Sequence, residues 1–156
     1  MRRAFLLALL AAAPLAASQG PALAQAKIRA GTLTCHGGAG IGLVLGSKKT
    51  YACTYTSASG RHVDDYSASV TKIGIDIGVT GESVIVWTVL ASTDALEPRA
   101  LAGNYAGATA DASIGVGGGA KVLVGGSDNA IVLQPLSVQG QTGLNLAVGV
   151  AEMSIQ

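Results

Sequence analysis

Two cysteines, two histidines and a few carboxylates are the residues of this chain that could bond, ligate or move protons. Cys35 and Cys53 are the only cysteines. Such a pair can act as a redox couple, contribute to a metal site, or close a structural disulfide. No Cys-x-x-Cys is present, so the redox reading lacks its motif. His36 and His62 are the only histidines. His62 brings two ligand types together with Asp64 and Asp65, but the spacing matches no recognised metal site, and both histidines read as solvated polar residues. No metal and no cofactor is expected.

Asp76 stands in the run Ile73-Gly74-Ile75-Asp76-Ile77-Gly78-Val79. A carboxylate there faces solvent or is buried with a hydrogen-bond partner, and the flanking glycines open a groove beside it. Asp111 has a similar place in an alternating run over 104–116. No second carboxylate stands at an offset that argues for acid–base catalysis, and Gly-x-Ser-x-Gly is absent. The expected protein is therefore non-catalytic. The rival reading is a periplasmic hydrolase with an unrecognised carboxylate site.

The first residues set the compartment in which these groups work. Arg2 and Arg3 precede an apolar run from Phe5 to Leu10, and Ala22-Leu23-Ala24 is a small-x-small cleavage site. That order is the pattern of a secretory signal peptide over 1–24. It predicts a mature domain over 25–156 in the periplasm or outside the cell. The Arg-Arg start also resembles a twin-arginine signal, without the polar residue expected before it. An oxidising compartment favours the structural disulfide between Cys35 and Cys53. Its loop of 17 residues would contribute about 3 kcal/mol in the chain-entropy picture.

Composition narrows the partners. The whole chain carries 10 Lys and Arg against 9 Asp and Glu. It has no basic run for phosphates, so nucleic acid is not an expected partner. No apolar run of the mature part reaches the roughly 20 residues a membrane helix needs. With 22 glycines and few aromatics, the chain lacks the aromatic girdles of an outer-membrane barrel.

The elements that must position these residues read as strands. Period-two alternation or β-branched runs appear over 26–35, 41–45, 50–56, 66–73, 73–79, 84–90, 104–116, 121–124, 130–133 and 143–155. The segment 84–90, with Trp87 at its centre, is apolar on both faces and reads as a fully covered strand. The only helical hint is 93–101, where Asp94 and Glu97 have capping spacing and Pro98 limits any helix to one or two turns. The fold class is all-β, mainly antiparallel: a small barrel or a sandwich. On 104–116, Ala106, Ala108, Ala110 and Ala112 share one face. Small side chains there admit a close neighbour, either a second sheet or a ligand. The expected ligand surface comprises Asp76, Trp87, Ala108, Ala110 and Asp111, open to a lipid-like or small apolar molecule or to an envelope protein.

Several segments resemble a known family. They are Ala30-Gly31-Thr32-Leu33-Thr34-Cys35, Tyr51-Ala52-Cys53-Thr54-Tyr55, the run 74–81, Leu123-Val124-Gly125-Gly126-Ser127 and the stretch 133–145. Together they make the mature chain similar to the small exported alphaproteobacterial proteins of domain of unknown function 992. That resemblance implies export and brings no catalytic residue. A more distant likeness, through Gly107-Ala108-Thr109-Ala110-Asp111-Ala112-Ser113, is to the SYLF lipid-binding domains. It implies a lipid or membrane surface, although the basic residues usual after Asp-Ala-Ser are missing.

Overall fold

The computed structural model describes residues 25–37, 48–72, 83–109, 121–136 and 150–156. Among these residues eight strands are present: β1 (Ile28–Gly37), β2 (Lys48–Ser57), β3 (Val63–Lys72), β4 (Ser83–Ala91), β5 (Gly103–Thr109), β6 (Lys121–Gly125), β7 (Ile131–Pro135) and β8 (Val150–Ile155). Every pairing is antiparallel. The order β1-β2-β3-β8-β5-β6-β7-β4 returns to β1, so the sheet closes into a barrel. Of the two all-β architectures that alternation allows, the barrel is the one formed. The expected strands at 41–45 and 73–79 lie outside the described residues, as do 1–24.

Alternation explains the wall. Leu33 and Cys35 on β1, Tyr51, Cys53 and Tyr55 on β2, and Tyr66, Ala68 and Val70 on β3 are buried. Their neighbours Thr54, Thr56 and Ser67 are exposed. The inward set continues with Ile85, Trp87 and Val89, then Tyr105, Leu123, Leu133, Met153 and Ile155, all in one core cluster. Eight strands enclose just enough room for such side chains. A barrel that spans a membrane has the reverse pattern, apolar outside and polar within. Here the interior is apolar, the outer faces of β1, β2, β3 and β8 carry threonine, serine and glutamate, and those of β4, β6 and β7 carry valine and leucine. No described helix is long and apolar enough to cross a membrane.

One expectation changes at this point. Strand β4 is not covered on both faces: Ile85, Trp87 and Val89 are buried, while Val84 is 40% exposed and Val86 and Leu90 are half-buried. A closed barrel gives each strand one inner and one outer face, so an apolar outer face remains partly open. The segment 93–101 forms turns and no helix, within the limit of one or two helical turns set by Pro98. Thr93 Oγ1 accepts from the Ala95 amide, and turns follow in which Ala100 N–H donates to Glu97 C=O and Ala102 N–H to Arg99 C=O.

The connection 92–102 runs from β4 to β5, strands that are not neighbours. It places Leu101, fully buried, in the core cluster, with Leu96 packed against it. Tyr105 Oη donates to Leu101 C=O at 2.8 Å. At the same end, β1 is irregular between Arg29 and Gly31. A Cβ on Gly31 would lie 2.3 Å from Thr56 O, so only glycine fits. Tyr55 Oη closes the kink by donating to Ala30 C=O at 2.9 Å.

Candidate functional site

Cys35 and Cys53 face each other in register on β1 and β2, and they are bonded. The expected disulfide is present. Both residues are buried among the inward side chains, because each occupies an inward position of its strand.

The second cluster forms at the end of the barrel that 92–102 crosses. Asp64, the second residue of β3, is the centre of the cluster. Its Oδ2 lies 3.0 Å from His62 Nε2, accepts from Tyr66 Oη at 3.2 Å, and accepts from the Arg99 amide at 3.0 Å. Arg99 adds an Nη1–H bond to Asp65 C=O at 2.8 Å. Its guanidinium stacks 4.9 Å over the Tyr66 ring, a cation–π contact. Asp65 points its own carboxylate to Thr54 Oγ1 at 2.9 Å. The β2–β3 turn delivers His62: Ser57 Oγ accepts from the His62 amide and Gly60 adopts φ +70°. The His62 ring then meets Tyr55 edge-on.

The electrostatics of this cluster are those of an anchor. The Arg99 amide, helped by His62 and Tyr66, holds the Asp64 carboxyl below the usual range. Burial pushes the Tyr66 phenol up to about 12, with the Asp64 charge adding to the effect. A general base needs a free lone pair and a proton affinity near the working pH. Asp64 falls short on the second count: three partners converge on its Oδ2 and stabilise the charge, which lowers its proton affinity. What the cluster does is tie the 92–102 connection to β3. Arg99, with φ +64°, is held in a left-handed conformation that costs a non-glycine residue about 1–2 kcal/mol, which these contacts offset. His62 and Asp64 do come together, as their spacing allowed. Among the described residues, no group of three His, Cys, Asp or Glu side chains converges. Arg99 and Tyr66 were not identified from the sequence. Asp64 and Tyr66 share a strand face and were detectable; Arg99, 35 residues away, was not.

The expected ligand surface is divided by the barrel wall. Trp87 is inside, buried, and its Nε1 has no hydrogen-bond partner among the described residues. On β5 the inward residue is Tyr105, and Ala106 and Ala108 lie on the outward face. Ala108 joins Leu90, Val122, Val124 and Val132 in a small apolar cluster on the outer side. Asp76, Ala110 and Asp111 lie outside the described residues.

Beside that cluster the outer wall carries a half-open groove of about 540 Å³. Two cross-strand rows build it. One runs Ser69–Ser154–Asn104 over β3, β8 and β5; the next runs Thr71–Glu152–Ala106–Val124 and reaches β6. The groove thus has an alanine and a valine on its floor and hydroxyl, amide and carboxylate groups around them. Its volume is in the range of small-molecule sites.

A family model described as a protein of unknown function, DUF992, matches residues 12–156. No curated protein and no solved structure matches the chain significantly. With the match running through the cysteine pair, all eight strands and the groove, the chain belongs to the DUF992 family.

Proposed function

We propose that this protein is an exported, non-catalytic domain that binds a lipid-like or small apolar molecule against the outer wall of its barrel. The observation that carries this reading is the division of space. Inside, Trp87, Tyr51, Tyr55 and Tyr105 fill the barrel. Outside, a groove opens over Ala106, next to the apolar cluster around Ala108. Small side chains on an outer wall admit close approach, which a binding surface uses. Export is supported by the leader pattern at 1–24 and by the Cys35–Cys53 disulfide, a bond suited to an oxidising compartment.

The test is native mass spectrometry of the protein purified gently from the exported fraction, compared with Ala106→Trp. Ala106 is exposed, so the variant retains the fold, which its thermal transition checks. A bound molecule of discrete mass that is lost in the variant supports the reading. A partner protein in its place would replace the small ligand with an envelope partner. An apparent mass equal to the bare chain, unchanged in the variant, overturns it.

A further inference from the structure

We infer that the outer groove selects a positively charged head: its ligand is a small aliphatic amine, held by Glu152 through an ammonium group with its chain along Ala106 and Val124. This rests on the outer-wall reading and goes beyond it by naming the charge. Among the described residues that line the groove, Glu152 is the one charged side chain. It is exposed, and no cation pairs with it among the described residues. In register it stands between Thr71 on β3 and Ala106 on β5. Ser154, two residues along β8, faces the same way.

An ammonium has three N–H donors and no acceptor. Around Glu152 the groove offers the matching acceptors: the carboxylate, the Thr71 and Ser154 hydroxyls and the Asn104 amide oxygen. A carboxylate or phosphate head would meet Glu152 with no Lys, Arg or His among the described lining residues to offset the repulsion, and like charges set against each other discriminate strongly. Ala106 pairs with Val124 and these two form the apolar floor; beyond them Ala108 packs on Val122, which is already buried, so the floor is short. A ligand with a cationic end and a short hydrocarbon chain satisfies both halves of the groove at once.

The experiment titrates isotopically labelled protein with octylamine, 1-octanol and octanoate, following the backbone amide signals of Thr71, Ala106 and Glu152. The expected result is saturable shifts with octylamine at about tenfold lower concentration than with octanoate, the ratio one charge-assisted hydrogen bond supplies. Glu152→Gln should abolish the preference, and Glu97→Gln, away from the groove, should not. Added salt should weaken octylamine binding. If all three compounds bind alike, or the preference survives Glu152→Gln, the charge inference is overturned while the outer-wall reading stands. If none shifts the groove residues, this inference falls, and the mass-spectrometric result decides the outer-wall reading on its own.

Discussion

Asp64 carries more of this structure than its type announces. One oxygen joins the β2–β3 turn, β3 and the 92–102 connection through His62, Tyr66 and Arg99. Removing it in Asp64→Ala leaves the Arg99 amide and the Tyr66 hydroxyl without their acceptor, and should cost about 1–3 kcal/mol in urea denaturation at pH 7. The pH dependence has a definite sign. The folded carboxyl titrates below its unfolded value, so its contribution is present above the ordinary carboxylate range and is lost as pH falls through the folded pKa. Wild type and Asp64→Ala should therefore converge in stability in acid. A gap that stays constant from pH 7 down to acid unfolding would refute the assignment. Tyr105 is a second single-atom case. Tyr105→Phe leaves the buried Leu101 carbonyl without this donor, and a loss of about 1 kcal/mol is expected in the same assay. These contacts were only partly legible in the sequence. The His62–Asp64–Tyr66 spacing is local and visible, whereas Arg99 arrives through a turn whose backbone angles no composition reveals.

Strands were legible because alternation is local; which face turns inward was not always so. On β2, Tyr51, Cys53 and Tyr55 alternate with Ala52, Thr54 and Thr56, and volume and polarity agree. On β5 the choice lies between alanines and a single tyrosine. The barrel takes Tyr105, since an eight-stranded interior is filled by large side chains, and Ala106 and Ala108 go outside. On β4 both faces are apolar, and only closure of the sheet decides. Glycine marks the places where strands cross closely. A Cβ on Gly125 would lie 2.0 Å from the backbone oxygen of Asn104, an atom fixed by the β5–β6 ladder. Gly125→Ala should lower stability by more than about 2 kcal/mol and displace the thermal transition accordingly. Gly60→Ala is the comparison. There φ is +70° with open space around the added atom, so the loss should stay near 1 kcal/mol, the cost of the backbone conformation alone. Equal losses at the two positions would show that backbone preference, not contact, governs Gly125.

At the scale of the whole molecule, what the sequence did not disclose is the order of the strands. β8 fills the gap between β3 and β5, and β4 returns to β1; both pairings join distant parts of the chain, and nothing local encodes them. Contacts of such long range make folding slow for the chain's size, and stopped-flow refolding with the disulfide intact should fall in the millisecond-to-second regime. The disulfide itself joins residues already opposite each other in the sheet, and both sulfur-bearing residues lie inside the barrel, Cys35 at 0% and Cys53 at 2% exposure. A thiol reductant attacks a sulfur directly, so it must wait for the wall to part. Once folded, the molecule is thereby insulated from the redox poise of its surroundings. Its reduction becomes a stopwatch for spontaneous opening: with rising dithiothreitol the rate should climb and then level off, and the plateau is the frequency with which β1 and β2 leave the barrel.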